Sequence, residues 1–271
     1  MGPEPSPAAT DGPSSPASSL YFARGNQPYP TPLMARLSRF VLPGYPQHVI
    51  QRGNNRQQIL FEEQDYWFLW EKIGAAADKF QCQVHAYVLM PNHFHLLLTP
   101  LSENGIGKLM QYVGRYYVQY FNGRYDRTGT LWEGRYRGTL VDPAQFLLPV
   151  SRYVESNPVR HGLVKKPGDY AWSSYGANAL GNDDPLVKPH PAYEKLGRSH
   201  KARQTAYAKG FATPPDEALL TRIREATNKA WVLGDSAFCQ EVEQQLNRRT
   251  SPRPRGGDRR SVAYRRATGR L

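Results

Sequence analysis

Apolar and polar positions between residues 38 and 178 alternate between two periods. Residues 65–80 carry apolar side chains at helical spacing, and residues 106–121 predict a second long helix. A third predicted helix, residues 146–156, ends before Asn157 and Pro158, because proline disfavours helix at the residue that precedes it. Strand patterns occupy the segments between and around these helices, at residues 40–52 (interrupted at 43–46), 83–90, 93–99 and 131–141.

This order of elements predicts an α+β fold with one antiparallel sheet and helices on one face. A tight turn at Pro91 and Asn92 predicts that two of the strands form a hairpin. The domain organisation we predict has four parts: a disordered segment rich in Pro, Ser, Ala and Gly at residues 1–34, the α+β domain at 35–178, an extension at 179–249, and an Arg-rich disordered tail at 250–271. In the extension, residues 180–215 predict mainly loops, and residues 218–249 predict one or two helices.

The charge balance predicts a polyanionic partner. The chain of 271 residues has a formal net charge of +12 and a pI of about 9.7. Nine arginines and one aspartate lie between residues 248 and 271. Such a segment suits sequence-independent contact with nucleic acid phosphates, and we expect it to bind DNA in a salt-dependent way.

Cysteine content and hydropathy predict a location inside the cell. Cys82 and Cys239 are the only cysteines, so the sequence has no disulfide framework and no thiolate metal site. No apolar run approaches the ~20 residues that a membrane-spanning helix requires. We therefore predict a cytoplasmic, nucleoid-associated protein with no membrane partner.

The strongest chemical signal is the pair His93 and His95 on the returning strand of the hairpin. Successive side chains of a strand point to opposite faces, so both imidazoles share one face while Phe94 points into the core. Two imidazoles on a rigid strand can hold one divalent metal. With a two-residue turn, Met90 pairs with His93 and His85 with Leu98, which places His85 on the opposite face and makes a structural role our preferred interpretation.

A third metal ligand must come from elsewhere, and Asn157 is the preferred candidate. It lies at the end of the helix that contains Tyr153, and residues four apart lie on the same helix face. A metal held by Asn157 would therefore lie beside the Tyr153 hydroxyl. Imidazole and amide oxygen ligands together suit Mn²⁺ or Mg²⁺. A plain role for Asn157 at the helix end stays open.

Basic and aromatic side chains near this segment are candidates for binding DNA. Arginines can hold phosphates in a bidentate way, and tryptophan can stack on unpaired bases. For each of them an ordinary surface or core role is the alternative. The candidates are Arg52, Arg115, Arg124, Arg127, Trp132, Arg135 and Arg137.

Five segments in this order resemble the REP-associated tyrosine transposases, a branch of the single-strand transposases related to insertion sequence 200 and of the His-hydrophobe-His nucleases. The segments are LPGYPQHVIQRGNN at residues 42–55, HAYVLMPNHFH at 85–95, GTLWEGRY at 129–136, RYVESNPVR at 152–160 and DYAWSSY at 169–175.

The resemblance implies a ferredoxin-like fold in which His93 and His95 bind the metal and Tyr153 is the nucleophile. Asn157 falls where related enzymes place a third, polar ligand. The implied reaction is cleavage and rejoining of single-stranded DNA, often a hairpin of a palindromic repeat, through a covalent 5′-phosphotyrosine. Some relatives exchange the tyrosine helix between subunits, and we predict a monomer here.

Two other functions stay open at this point. A DNA-binding regulator could keep the fold without the chemistry, although the intact His93, His95 and Tyr153 argue against it. A metal hydrolase could use three histidines, with His161 as the third, and an activated water. Among the seventeen tyrosines, those between residues 112 and 120 suit packing or base stacking, and Tyr136 stays a lesser alternative to Tyr153.

Overall fold

A four-stranded antiparallel sheet forms the centre of the molecule. A computed structural model describes residues 39–214, 216–252 and 266. The strands are β1 (Gln47–Arg52), β2 (Cys82–Met90), β3 (His93–Pro100) and β4 (Arg137–Leu140), in the order β2-β3-β1-β4. Helix α1 (Glu63–Lys79) joins β1 to β2, and α2 (Gly105–Arg124) joins β3 to β4. This βαββαβ order, with β1 and β3 as the central strands, is the ferredoxin-like arrangement and confirms the predicted α+β fold.

One face of the sheet packs against α1 and α2, as the helical periodicity predicts. Val49 and Phe94 of the sheet are fully buried there with Leu69 of α1 and Tyr117 of α2. Burying each such side chain stabilises the fold by roughly 1.5–3 kcal/mol. The Tyr117 hydroxyl donates to the Ile59 carbonyl at 2.5 Å, so this tyrosine of α2 is a packing residue.

The other face, which the prediction of helices on one face left uncovered, is also covered, by helices from later in the chain. Helix α3 (Leu147–Glu155) crosses β2 and β3, and α7 (Glu217–Lys229) crosses β4 and β1. Their apolar residues form a second core with sheet residues such as Leu97. Part of the predicted extension therefore completes the sheet's hydrophobic burial.

Four shorter or peripheral helices complete the described fold. These are α4 (Asn157–Arg160), α5 (Pro191–Glu194), α6 (His200–Lys209) and α8 (Ser236–Leu246). The C-terminal prediction of one or two helices corresponds to α7 and α8, each begun by an aspartate whose side chain accepts from a backbone N–H. Helix α6 lies in the segment expected to be mainly loop. The sequence did not predict it, because the helix is polar at most positions and lacks an apolar period.

Three segments differ from their predictions in strand extent or register. The first strand begins only at Gln47, after a turn in which Gly44 has φ +81°. The last begins at Arg137 rather than near residue 131, because the chain turns at Gly134, where φ is +71°. A β-bulge between Val84 and Ala86 overturns the expected pairing of His85 with Leu98.

His85 consequently lies on the face opposite to the predicted one. Its Nε2 is 2.8 Å from Thr99 Oγ1, and Thr99 shares a face with His93 and His95. Its Nδ1 is 2.7 Å from the Lys188 carbonyl oxygen. Both ring nitrogens are therefore used in the fold, in agreement with the structural role expected for this residue.

Other predictions fall outside what the structure describes or are not tested by it. The predicted disordered segment at residues 1–34, and all of the predicted tail except 250–252 and 266, lie outside the described residues. The predicted domain boundaries stay predictions. None of the helices in the described part of the chain is long and apolar enough to cross a membrane.

A fully buried carboxyl group, Glu155, ties α3 to the segments that follow it. Its Oε1 accepts from Ser174 Oγ at 2.5 Å and Asn178 Nδ2 at 2.8 Å, and its Oε2 accepts from the Tyr207 hydroxyl of α6 at 2.7 Å. Burial raises the pKa of Glu155 to about 7, and the three hydrogen bonds only partly oppose this shift. Because Tyr153 lies two residues away, the same contacts hold the segment that carries the candidate nucleophile.

We predict that Glu155→Gln gains stability relative to the wild type as pH rises. The raised pKa means that the folded state holds a proton that the unfolded state has lost between about pH 4.5 and 7, so this carboxyl destabilises the wild type progressively across that window. The change in unfolding free energy should reach roughly 3 kcal/mol at most. Thermal melts at pH 4.5 to 8 measure it, with Glu103→Gln on the surface as control. An unfolding difference that does not change with pH would contradict the prediction.

Candidate metal and DNA site

The two histidines of β3 lie side by side on the face of the sheet that α3 and α7 cover. Their ring centroids are 4.9 Å apart, and the side chains of His93 and His95 are 3% and 2% exposed. Phe94 is buried on the opposite face, among the residues that pack against α1 and α2. The pleat of β3 therefore places both imidazoles on one face of the sheet, here called the chemical face, and Phe94 on the opposite face, as the strand periodicity predicts.

Each histidine of the pair has its Nδ1 engaged by a neighbouring side chain. His93 Nδ1 is 2.6 Å from Asn92 Oδ1, and His95 Nδ1 is 2.9 Å from His48 Nε2. An amide oxygen only accepts, so His93 carries its proton on Nδ1 and keeps the lone pair on Nε2. Metal-binding histidines characteristically use the second nitrogen in this way, because it fixes the tautomer and the ring orientation.

Asn157 completes the group at the first position of α4. Its side-chain amide is 3.4 Å from His95 Nε2, and the residue is only 1% exposed. The amide also interacts with His93, where it opposes the lowering of that pKa. The structure thus brings together the three side chains that the sequence suggests as ligands. Two imidazole nitrogens and one amide oxygen suit a divalent metal, once the amide is turned to present Oδ1.

Burial keeps the imidazoles of this group neutral. It lowers the pKa of His93 to about 3 and that of His95 well below its usual value, and the positive charges of Arg52 and Arg160 add to the effect. Neutral imidazole is the form that binds metals. The electrostatic setting therefore agrees with the ligand role that the hydrogen bonds suggest.

Tyr153 lies directly against the histidines. Its ring centroid is 5.6 Å from that of His48 and 6.0 Å from that of His95, both in edge-to-face contact. Tyr153 and Asn157 are four residues apart, and the Asn157 amide is 3.4 Å from the Tyr153 carbonyl oxygen. The candidate nucleophile and the candidate ligands thus form one contiguous group.

Two further residues of this group do not stand out in the sequence. The Arg160 guanidinium lies 4.0 Å from the centre of the Tyr153 ring and donates to the Tyr153 carbonyl at 3.0 Å. Burial lowers the pKa of Arg160, and the tyrosine partly opposes this change. His48 is fully buried on β1. A period-two reading of β1 could have placed His48 on the chemical face, but only the pairing of β1 with β3 shows what it contacts.

The three-histidine alternative finds no assembled site. His161 has its ring centroid 5.8 Å from that of His93, but its Nδ1 is 2.9 Å from the Asn157 carbonyl oxygen. Across residues 39–214, 216–252 and 266, no three His, Cys, Asp or Glu side chains are grouped as metal ligands. The Asn157 amide stays the candidate for the third ligand.

Three of the candidate arginines come together beside the histidine pair. Arg52, Arg135 and Arg137 line one concavity with Ile50, Glu133 and Asn228. Arg52 pairs with His93 across the two central strands. Arg137 also donates to Asn228 Oδ1 at 2.8 Å. The chain between Trp132 and β4 thus brings positive charge to the same end of the sheet as the histidines.

Trp132 lines a cavity of about 440 Å³ next to this arginine group. Arg135 lies between the two spaces and lines both. At the rim of the cavity, the Arg39 guanidinium stacks 3.5 Å from the centre of the Tyr136 ring. The apolar interior with charged residues at its edge has the character of a site for an aromatic, anionic ligand.

The remaining candidate arginines lie on or after α2, away from this group. Arg124 pairs with Glu62 and donates to Gln64 at 2.9 Å. Arg127 donates to Gln57 Oε1 at 3.2 Å, and Arg115 is exposed on α2. Arg124 and Arg127 therefore have intramolecular partners, and neither lines the concavity formed by Arg52, Arg135 and Arg137.

Comparisons with known proteins show what the central domain is similar to. Residues 44–157 match the family model described as "Transposase IS200 like". No curated protein matches the chain. A solved structure of a REP-associated tyrosine transposase bound to a REP hairpin aligns with a TM-score of 0.45 and 18% identity, over 58% of this chain and 99% of that one. A protein assigned as a transposase from Deinococcus radiodurans R1 aligns with a TM-score of 0.32 and 22% identity, over 44% and 95%.

The matched segment includes every strand of the sheet as well as both helices of the first face. It also contains the histidine pair and Tyr153, and its last residue is Asn157. The family resemblance noted from the sequence is thereby confirmed for the domain that carries the candidate chemistry. The α+β domain of this chain is therefore similar to the IS200-like transposases over residues 44–157.

Proposed function

We propose that this protein cleaves and rejoins single-stranded DNA through a covalent 5′-phosphotyrosine at Tyr153. The observation that carries the proposal is the contact of the Tyr153 ring with His95, one helical turn from Asn157. A nucleophile beside a group of metal-ligand side chains is the arrangement that phosphoryl transfer requires. The match of residues 44–157 to a family of transposases supports DNA as the substrate.

His93, His95 and Asn157 would hold a divalent cation, for which we propose Mg²⁺ or Mn²⁺. When bound, the cation would polarise the phosphate oxygens and so favour attack at phosphorus. The three side chains offer two imidazole nitrogens with free lone pairs and one amide oxygen. Asn92 and His48 would keep the two rings oriented toward that position.

In the forward step, the Tyr153 oxygen forms a bond to phosphorus and the bond from phosphorus to the 3′-oxygen breaks. The phenol loses its proton, and the departing strand gains one as its 3′-hydroxyl. In the reverse step, a 3′-hydroxyl attacks the phosphotyrosine and releases Tyr153. The positive charge of Arg160 over the ring would stabilise the phenolate as it forms. Both steps exchange one phosphate ester for another, so no nucleotide cofactor is needed.

The arginine cluster of Arg52, Arg135 and Arg137 would hold the phosphates that flank the reacting one. Trp132, in the adjacent cavity, would contact an unpaired base. A folded single strand such as a palindromic repeat hairpin presents both features, the backbone phosphates of its stem and the unpaired bases of its loop. We propose such hairpins as the substrate and a monomer as the acting form.

We predict that Tyr153→Phe abolishes a covalent protein–DNA adduct while hairpin binding is kept. The substrate is single-stranded hairpin DNA from repeats near the protein's own gene, incubated with Mn²⁺ or Mg²⁺ and resolved on a denaturing gel. With a 5′-phosphotyrosine, the adduct carries label from the 3′ end of the DNA, and label from the 5′ end leaves on a free fragment. Removal of the metal with EDTA should abolish both products.

Tyr116→Phe provides the matched control, because Tyr116 is a partly exposed tyrosine of α2 outside the site. It should form the adduct as the wild type does. Cleavage without an adduct, unchanged in Tyr153→Phe, would indicate hydrolysis by water. Binding without cleavage over a range of hairpins would indicate a regulator.

We predict that the double substitution Arg135→Ala and Arg137→Ala weakens DNA binding mainly through lost phosphate contacts. The slope of log affinity against log salt concentration should become shallower by about 0.7 for each lost contact to a single strand. Fluorescence anisotropy at 50 to 300 mM salt measures this slope. Arg115→Ala is the control on the exposed face of α2, and an equal loss there would contradict a localised binding surface.

A further inference from the structure

His48 is the most buried polar residue next to the candidate metal ligands, and both its ring nitrogens have partners. Its Nε2 lies 2.9 Å from His95 Nδ1, and its Nδ1 lies 2.9 Å from Thr227 Oγ1. The side chain is fully buried between β1 and α7. A buried imidazole with two partners can adopt only the tautomer that its partners permit.

The partner at the far end sets the direction of these hydrogen bonds. Thr227 Oγ1 is 2.9 Å from the carbonyl oxygen of Ile223, and a carbonyl only accepts. The hydroxyl has a single proton, which this bond uses, so Thr227 accepts from His48 Nδ1. The His48 ring is fully buried and neither of its two partners carries a negative charge, so the uncharged ring is favoured and its Nε2 is unprotonated.

Each hydrogen bond needs one donor, and since His48 Nε2 has no proton, this requirement fixes the tautomer of His95. Its Nδ1 must donate to His48 Nε2, which leaves the lone pair of a neutral His95 on Nε2, the nitrogen that faces Asn157. The planes of the two rings differ by only 9°, with centroids 5.1 Å apart, so the N–H and the lone pair can both lie in the ring planes. Donor direction and ring geometry agree.

We propose that His48 and Thr227 are positioning residues that hold His95 with Nε2 free to bind the metal. The consequence reaches beyond the segment that matches the transposase family. Thr227 lies on α7, 70 residues after the last matched position, and α7 reaches the sheet through its packing on β1 and β4. The C-terminal extension therefore contributes to the metal site. The proposal rests on the ligand set given in the proposed function.

The tautomer is tested without any substitution. In metal-free wild-type protein, ¹⁵N-resolved histidine NMR should show both His48 and His95 protonated at Nδ1. Protonation of His95 at Nε2 would overturn the proposal.

Metal affinity provides the second test, through titration calorimetry with Mn²⁺. Thr227→Val removes the acceptor with little change in shape, and it should weaken Mn²⁺ binding by at least about tenfold, the effect typical of residues that support metal ligands. Thr227→Ser retains the hydroxyl and should restore the affinity. Thr205→Val is the matched control, because the Thr205 hydroxyl makes the same bond to a carbonyl four residues earlier, on the exposed surface of α6.

The outcomes separate this proposal from the proposed function. Equal Mn²⁺ affinity for Thr227→Val and Thr205→Val would overturn the role of Thr227, even if the Tyr153 adduct forms. A selective loss in Thr227→Val would support the role, even if the adduct persists in Tyr153→Phe. If Thr227→Val does not fold, the Thr227→Ser affinity and the wild-type tautomers decide the question.

Discussion

The site depends on the alternation of side chains along β3. This strand lies inside the sheet with both faces covered, so every second side chain enters one core and the others enter the second. Phe94 belongs to the core beneath α1 and α2, which fixes the strand and leaves the imidazoles of His93 and His95 on the opposite side. Burial there forces each ring nitrogen to find a partner, because an unpaired polar atom in the interior costs about 1–3 kcal/mol. The orientation of the metal-ligand candidates thus follows from packing and hydrogen-bond satisfaction together.

The tyrosine helix is held by a different set of contacts. Helix α3 packs its apolar residues on β2 and β3, while Glu155 fixes its end to Ser174, Asn178 and Tyr207. A buried carboxyl group without a cationic partner is costly, and the hydrogen bonds that it accepts come from segments beyond the family match. The residues after 157 therefore position Tyr153 as well as covering the sheet, and the candidate nucleophile and its support are distributed over most of the described chain.

Sequence patterns predicted the local part of this arrangement. The shared face of His93 and His95, the turn at Pro91 and Asn92, and the spacing of Tyr153 and Asn157 depend on periodicity within a few residues. The contacts of His48 depend on the register between β1 and β3, which brings it to His95, 47 residues later, and on Thr227 of α7. Neither contact can be read from the sequence around His48. The bulge at His85 shifted one pairing. The ion pair of Arg124 with Glu62 was not predicted, because the two residues are distant in sequence.

The low exposure of the site has a consequence for how substrate enters. Tyr153 is 6% exposed and Asn157 only 1%, so little of either residue is open to a DNA backbone in this arrangement. Helix α3, which carries Tyr153, and α7 together cover this face of the sheet, and a movement of either would widen the path to the phenol. The rate of strand capture would then depend on how often these helices move, and the surface arginines would set how long DNA stays bound beside them.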